Sequence, residues 1–387
     1  MPSDRYFPNP PGPPRTTDPN KELLASLDRI ATYNPPVHTC STGWTFQGLY
    51  SGPTSIAYLF YRLSQIFPDL QFKQQSLLDW AEAYLALGAR GQKKAPDPSH
   101  CGIANETLAH LALSAVIQRD ASLARQLCSF AATINTSSKD GSNEWLYGRA
   151  GYLYFLRLCR SAFVSSSTDT APSSNSSIAA ALDTAIANTV ARILSSPQPW
   201  TWHGKAYLGA AHGTIGIITQ VVLSQPSAAP ALQDLLAGLL AEHQWPSGNF
   251  RSSVGSESDR LVQFCHGGPG FGVSLASLAP FFPALKAEIE DAVDRIREDA
   301  WRRGVLTKAP CLCHGIAGNA LVFDDDERFM HFLSLMSTEE MEERGWMSRA
   351  GRNDDFVGLY TGEAGRAWVW GVAASGGKRV CIGYNDL

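Results

Sequence analysis

The chain has 387 residues, of which 44% are hydrophobic and 18% are charged, and its formal net charge is −4. This length allows one large domain or two to three ordinary ones, and the weak negative charge argues against a protein that binds nucleic acid or an anionic membrane surface. No stretch approaches the roughly 18 uninterrupted apolar residues of a membrane-spanning helix, so we expect no transmembrane segment.

The first 14 residues are polar and rich in proline, which is not the pattern of a secretory signal peptide. Eight cysteines are spread along the chain without the close spacing of a small disulfide-bonded scaffold. We therefore expect reduced thiols in a cytoplasmic protein, some of them serving as metal ligands.

A short Gly-x-x-Gly turn recurs along the chain. Two incomplete copies without the second glycine come first, and the complete copies follow at intervals near 50 residues, which is the spacing of repeated supersecondary units. The seven turns are Gly52–Ser55, Gly102–Asn105, Gly148–Gly151, Gly213–Gly216, Gly267–Gly270, Gly315–Gly318 and Gly362–Gly365.

Each turn is followed by an apolar run, such as residues 152–156 or 215–218, and then by a more amphipathic stretch. Apolar residues in one such stretch recur at helical spacing, at Leu285, Ile289, Val293, Ile296 and Ala300. Each unit therefore predicts an inner apolar helix and an outer half-solvated one. Seven such hairpins closed in a ring predict an all-α fold, a double-layered α/α barrel whose inner helices begin at one mouth.

The longest interval between turns contains a run rich in Ser, Thr, Pro and Asn from Ser165 to Ser177. This composition predicts a disordered surface insertion at about residues 164–178. Because the repeat resumes after it, we expect one domain over residues 1–387.

Two near-copies of one segment, Cys265-His266-Gly267 and Cys313-His314-Gly315, carry the chemical prediction. They occupy the same position in successive repeats, so a ring would place them at the same height. Two thiolates and one imidazole can hold zinc and leave a position open, as in catalytic zinc sites. We predict Cys265, Cys313 and His314 as ligands, against the alternative of buried structural cysteines and a capping histidine. His266 could be a fourth ligand, but we expect it to line the site.

Three further residues, and a fourth with a weaker claim, are candidates for catalysis. His212 directly precedes the fourth of the seven turns, Gly213–Gly216, in the repeat position of the predicted metal-binding histidine. This position favours a role in general acid–base catalysis. Glu144 and Arg149 flank the third turn and are candidate catalytic residues, or alternatively a helix-capping pair. His203, in Trp202-His203-Gly204-Lys205, is a weaker candidate.

Two cations share an offset from the predicted ligands. Arg260 and Lys308 each lie five residues before a ligand cysteine. They could bind an anionic substrate or stabilise a developing enolate, or they could be solvated loop charges. Cys311 lies two residues before Cys313, but without a second matching pair it does not indicate a zinc ribbon.

Read together, these motifs resemble the lanthionine synthetase C-like family, and specifically its eukaryotic branch. The resemblance implies a seven-hairpin α/α toroid with zinc bound by Cys265, Cys313 and His314. The matching segments are residues 5–10, 144–151, 202–205, 209–213, 262–267, 312–315 and 383–386.

The resemblance also implies an activity, the zinc-dependent addition of a thiol to dehydroalanine or dehydrobutyrine in a peptide or protein. Bacterial members cyclise peptides in this way, whereas eukaryotic members resemble enzymes that add glutathione to dehydroamino acids in damaged proteins. Carried over, Lys308 and Arg5 become glutathione-binding candidates. Arg352 and Asp354 lie in a further glutathione-binding stretch, where the local sequence departs from the family by about one residue.

Three other functions stay open at this point. The first is intramolecular thioether formation in a biosynthetic peptide that carries its own cysteine. The second is a glutathione- or peptide-binding scaffold without turnover, which would not require an acid–base residue at His212. The third is an α/α-barrel glycosidase, which requires paired carboxylates, whereas only Glu144 lies at a repeat turn.

Overall fold

A computed structural model describes residues 5–9, 15–37, 44–90, 94–139, 141–164, 172–343 and 357–387. Within these ranges the chain is almost entirely helical. The helices are α1 Pro19–Tyr33, α2 Pro53–Ile66, α3 Leu77–Gly88, α4 Glu106–Ile117, α5 Ala121–Ser129, α6 Ala131–Ile134, α7 Arg149–Val164, α8 Pro172–Leu194, α9 Thr214–Ser224, α10 Ala229–His243, α11 Gly268–Leu278, α12 Lys286–Arg303, α13 Ile316–Ala320, α14 Asp326–Ser334, α15 Thr338–Glu343 and α16 Glu363–Ser375. Two short strands, β1 Gln71–Phe72 and β2 Gln75–Ser76, form an antiparallel pair.

Seven helices form a closed inner ring. In chain order they are α2, α4, α7, α9, α11, α13 and α16; each packs against the next, and α16 packs against α2. Their outer partners are α3, α5, α8, α10, α12, α14 and α1, so the first described helix completes the last hairpin. The predicted double-layered barrel of seven helical hairpins is therefore confirmed.

Burial separates the two layers as the hydrophobic pattern predicts. In the inner helix α9, every residue from Thr214 to Val222 is buried. In the outer helix α12, Ile289, Val293 and Ile296 are buried, whereas the side chain of Lys286 is 72% exposed. An inner helix is enclosed on all sides, while an outer helix needs only one apolar face.

The second glycine of each complete turn is required by a close backbone approach. A Cβ atom at Gly318 would lie 1.9 Å from the carbonyl oxygen of Leu312, six residues earlier. The same contact with the oxygen six residues earlier recurs at Gly151, Gly216, Gly270 and Gly365. No side chain fits at such a distance, so the glycines allow the loop to fold back onto the start of the helix.

The inner helix that follows the second turn begins differently from the other six. Its inner helix α4 begins at Glu106, four residues after Gly102, whereas the other six inner helices begin directly after the first glycine of their turns. Asn105 stands where the second glycine is missing, and its side chain accepts a hydrogen bond from the Leu108 N–H at 2.9 Å. Asparagine is a preferred N-cap residue, so it replaces the glycine turn with a capped helix start.

Part of the segment predicted to be a disordered insertion is helical in the described residues. Helix α8 begins at Pro172, so residues 172–178 are helical and the prediction of disorder is wrong for them; residues 165–171 lie outside the described residues. Ile178 and Leu182 are fully buried, and this apolar face fixes the helix against α5 and α7.

The same helix is the one described segment that could cross a membrane by length and composition. Residues 177–194 have a mean hydropathy of 1.2, and 39% of the segment is buried in the barrel. It packs against α5 and α7 as an outer-layer helix of the barrel does. A single long apolar helix is weak evidence for a membrane span.

The segment from Cys381 to Leu387 fills the interior of the ring. The carboxylate of Asp386 accepts hydrogen bonds from the hydroxyls of Tyr154 at 2.7 Å and Tyr58 at 3.0 Å and lies 3.4 Å from the Arg62 guanidinium. The Tyr384 hydroxyl is 2.6 Å from that of Ser274. The segment therefore ties α2, α7 and α11 together from inside.

Replacing Asp386 with alanine is expected to destabilise the barrel strongly. Two buried hydroxyls would lose their acceptor and the Arg62 guanidinium would lose its counter-charge, and breaking a buried ion pair in this way costs about 3–5 kcal/mol. Thermal unfolding of the full chain measures the change. Asp324→Ala is the control, because its ion pair with Arg297 at 2.9 Å is on the surface and such pairs contribute about 0–1 kcal/mol. Equal shifts for the two variants would contradict a stabilising role of residues 381–387.

Candidate functional site

Backbone hydrogen bonds between successive turns form a ring around the mouth of the barrel. We call the residue two places before the first glycine of a turn its rim residue. The N–H of Cys265 donates to the oxygen of Cys313 at 3.0 Å, Cys313 donates to Tyr360 at 3.0 Å, and Tyr360 donates to Tyr50 at 3.0 Å. The remaining turns are joined by backbone bonds at or near this position, from Ala211 to Cys265, Leu146 to Ala211, Gly102 to Tyr147 and Leu49 to Ile103. Residues at the same repeat position are therefore neighbours in space.

This ring brings the predicted metal ligands together. Cys265, Cys313 and His314 each offer one ligand atom, and these atoms lie within 4.8 Å of one another. Each cysteine is 6% exposed. Two sulfurs and one imidazole nitrogen are the soft and borderline donors that suit zinc, and three protein ligands leave a position for a substrate. The described residues therefore fit the predicted metal.

Each ligand sulfur also receives a hydrogen bond. The Gln263 side-chain amide donates to Cys265 Sγ at 3.1 Å, and the Tyr50 hydroxyl donates to Cys313 Sγ at 3.4 Å. Such partners orient metal ligands and moderate the charge on their sulfurs. Sequence reasoning did not find either residue, although Tyr50 is the rim residue of the first turn and the repeat position could have indicated it.

His314 is in contact with a third cysteine. Its hydrogen bonds with the sulfur of Cys311, and then with that of Cys313, raise the pKa of its imidazole to about 10, because a neighbouring thiolate favours the charged ring. Cys311 is 1% exposed and lies outside the ligand cluster. Cys311 therefore contacts the candidate ligand His314 without being part of the three-donor cluster.

Replacing Cys311 with serine is expected to leave about one zinc per chain, because a hydroxyl can retain a hydrogen bond to His314. Metal analysis of the purified full chain tests this expectation. Cys313→Ser is the matched comparison, since the same change at a ligand should remove the metal. Loss of zinc from Cys311→Ser with retention in Cys313→Ser would show that the ligand is the other cysteine.

Glu144 and His212 form a buried pair. Their side chains meet at 3.0 Å, between Glu144 Oε2 and His212 Nδ1, and Glu144 is 2% exposed. The Glu144 carboxylate also accepts the backbone N–H groups of Leu146 at 2.7 Å and Tyr147 at 2.5 Å. A carboxylate held in this way fixes a proton on Nδ1 and leaves Nε2 of His212 for proton transfer.

Aromatic rings and a second histidine enclose His212. The Trp202 ring stacks on it with centroids 4.0 Å apart, and Tyr147 stacks on Trp202 at 5.7 Å. The His266 ring lies 5.7 Å from that of His212. Burial, and then the charges of His212 and Lys308, lower the pKa of His266 to about 4. His266 thus lies beside His212, as expected of a residue that lines the site.

Arg149 does not present a free cation to this cluster, contrary to its predicted catalytic role. It is 1% exposed, and its guanidinium donates to the backbone oxygens of Ile134, Thr136 and Ser142 and to the side chain of Asn143. These bonds hold the loop that precedes Glu144. Arg149 therefore positions Glu144 indirectly, because burial forces all of its donors to be satisfied by the protein.

The predicted anion-binding residues are distributed around the mouth. Tyr6 and Leu306 form an antiparallel bridge, and the Thr307 N–H donates to the Arg5 oxygen at 3.0 Å, so Arg5 lies beside the segment that carries Lys308. Lys308 is exposed and acts electrostatically on His266. Arg260 is also exposed. Arg352 and Asp354 lie outside the described residues, so their glutathione-binding roles stay predictions.

Comparison with known proteins places these features in context. Residues 43–370 match the profile of a family described as lanthionine synthetase C-like protein. The chain is 30% identical over 325 residues to Glutathione S-transferase LANCL1 of Danio rerio, covering 78% of this chain and 73% of that protein. It is 29% identical over 253 residues to LanC-like protein GCL1 of Arabidopsis thaliana, covering 59% of this chain and 54% of that protein.

A solved structure gives an independent comparison of the fold. The structure named Nisin cyclase superimposes with a TM-score of 0.55 at 12% sequence identity, covering 93% of this chain and 94% of the other. At this identity the likeness concerns the fold alone, and it agrees with the seven-hairpin barrel.

Proposed function

Because this chain belongs to the lanthionine synthetase C-like family, we propose that it is an enzyme that adds a thiol to dehydroalanine or dehydrobutyrine residues of a peptide or protein, with zinc as its metal and glutathione as the thiol. The name of the Danio rerio relative, a glutathione S-transferase, supports glutathione as the co-substrate.

One observation carries this proposal: a three-donor metal cluster and a buried acid–base pair share one barrel mouth. Ala211, the residue before His212, donates its N–H to the oxygen of the ligand Cys265 at 3.4 Å. A scaffold that only binds would need the donors but no histidine fixed by a carboxylate. The pairing of His212 with Glu144 therefore favours turnover.

The donor set determines what the metal would contribute. Bound by Cys265, Cys313 and His314, zinc would supply a Lewis acid that keeps a substrate thiol deprotonated near neutral pH, where a free thiol with a pKa near 8.5 is mostly protonated. The hydrogen bonds from Gln263 and Tyr50 would hold the ligand sulfurs in place.

Proton transfer falls to the chain's own residues. When a thiolate sulfur attacks the β-carbon of a dehydroamino acid, one carbon–sulfur bond forms and the double-bond electrons move to an enolate. The α-carbon must then receive the proton that the thiol lost. His212, whose Nδ1 proton is held by Glu144 at 3.0 Å, can take up the thiol proton on Nε2 and then deliver it from Nε2 to the α-carbon.

Charge around the mouth supports an anionic co-substrate. Glutathione carries two carboxylates, and Lys308 and Arg5 are adjacent at the edge of the mouth near His266. We propose that these two cations bind the glutathione carboxylates while the glutathione sulfur is at the metal cluster.

The seven cysteines that the structure describes are all free thiols, which supports a cytoplasmic protein in a reducing compartment.

The test is incubation of the full chain, loaded with zinc, with a dehydroalanine peptide that lacks cysteine, with and without glutathione. Mass spectrometry should show a gain of one glutathione only when all components are present. The same reaction with a peptide that carries its own cysteine tests cyclisation, which would leave the mass unchanged and remove a free thiol. Binding of zinc and glutathione without any product from either peptide would contradict an enzyme and support a scaffold.

A further inference from the structure

A cavity of about 700 Å³ opens beside His212. Its wall includes Tyr147 and Trp202, whose rings lie 6.1 Å and 4.0 Å from the ring of His212. None of the three candidate metal ligands is among its lining residues in the described part of the chain. The cavity therefore adjoins the proposed proton donor through an aromatic wall without including the metal cluster.

Basic side chains dominate the charge of this cavity. Lys94, Lys139, His100 and His203 line it together with Ser, Thr, Gly and aromatic residues, and no carboxylate is among the described lining residues. Two carboxylates of the described residues lie next to lining residues: Asp97, which is 3.7 Å from Lys94 and accepts a hydrogen bond from Ser99, and Glu144, which is 3.5 Å from the Ser142 hydroxyl and is paired with His212. Asp140, between Lys139 and Gly141 in the sequence, lies outside the described residues. Burial and Lys94 lower the pKa of His100, so the two lysines provide the permanent positive charge.

The hairpin that carries His203 is held in an uncommon conformation. Trp202 and Lys205 exchange two backbone hydrogen bonds of 2.9 Å and 3.0 Å, and the two residues between them, His203 and Gly204, have φ of +48° and +74°. This geometry is that of a type I′ turn, which glycine and asparagine normally supply. A histidine kept in this conformation on a cavity wall is a candidate functional residue.

We propose that this cavity binds the acceptor polypeptide and selects acceptors that carry an oxyanion side chain, a carboxylate or a phosphate, beside the dehydroamino acid. The proposal rests on the thiol-addition function above. Lys94 and Lys139 attract the anionic side chain, while Tyr147 and Trp202 form an aromatic wall against the rest of the acceptor. Glutathione would use the other cations, Lys308 and Arg5, so that the two substrates meet near His212.

The experiment compares dehydroalanine peptides that differ only in the neighbouring residue, which is Glu, phosphoserine, Gln or Lys. With saturating glutathione, kcat/KM measured by mass spectrometry should be roughly tenfold higher for Glu than for Gln, as expected of two partly exposed charge pairs. The Lys peptide should be the poorest, and the preference should weaken as salt is added. The Glu and phosphoserine arms show which oxyanion fits better.

The variant Lys94→Gln/Lys139→Gln should abolish the preference for Glu over Gln. Its kcat/KM for the Gln peptide and its KM for glutathione should stay within about twofold of the wild-type values, since uncharged contacts are retained. Lys286→Gln is the matched control, because it removes one lysine charge from the outer helix α12, where the side chain is 72% exposed. This control should keep the full preference.

Binding without chemistry separates this proposal from the proposed function. Fluorescently labelled peptides with alanine in place of dehydroalanine should bind the wild-type chain more tightly with Glu than with Gln, and the double variant should lose this difference. If no peptide is converted but this binding difference and its loss are seen, only the proposed chemistry fails. Equal binding and turnover of the Glu and Gln peptides by the wild type, or a raised glutathione KM as the main effect of the double variant, would overturn the acceptor site.

Discussion

Replacing Cys313 with alanine is expected to remove zinc and thiol addition together. Cys313 is linked to both other candidate ligands, because His314 follows it in the chain and its carbonyl accepts the N–H of Cys265 at 3.0 Å. Two remaining protein donors do not make a zinc site of the usual three or four ligands. We expect zinc content to fall from about one per chain to near zero. Metal analysis of the purified full chain, together with the glutathione-addition assay, gives both readouts.

Cys159→Ala is the matched control for the ligand variants. Cys159 is also a fully buried free thiol, but it lies in α7, away from the ligand cluster. Its replacement should retain zinc and activity. Circular dichroism should show that both variants stay helical. Full zinc content in both Cys265→Ala and Cys313→Ala would refute the metal assignment.

Replacing His212 with asparagine is expected to separate proton transfer from metal binding. The three metal donors are untouched, so zinc content and glutathione affinity should stay at wild-type values. Turnover should fall by about 10²–10⁴-fold, the usual contribution of a general acid or base. Asparagine keeps a polar side chain next to Glu144, which limits the effect on stability because the buried carboxylate keeps a hydrogen-bond partner.

His243→Asn provides the comparison for this variant, because His243 ends the outer helix α10 and lies outside the site. It should turn over like the wild type. Loss of zinc from His212→Asn would mean that His212 is itself a ligand. Unchanged turnover would mean that the proton comes from another group, and Tyr147, His266 and bound water would be the next candidates.

The sequence by itself was sufficient to predict the barrel and the location of the mouth. The second glycine of each complete turn is required because an added Cβ would lie about 2 Å from a backbone oxygen, as at Gly318 against Leu312, so this glycine recurs at five of the seven inner helices. Cys265 and Cys313 occupy the same place in successive repeats, and the bonds between successive turns make them neighbours. A local pattern that repeats therefore predicts positions in the ring.

The tertiary structure alone decided how distant side chains meet across the ring. Glu144 and His212 are 68 residues apart and bond at 3.0 Å, and Tyr50 reaches Cys313 across 263 residues because the last inner helix closes against the first. The sequence allows Arg149 to be a catalytic cation, but in the structure its guanidinium N–H groups donate to backbone oxygens of the protein. Repeat spacing determines the height of a residue at the mouth, but the partner of its side chain depends on helix packing and ring closure, which no local sequence pattern encodes.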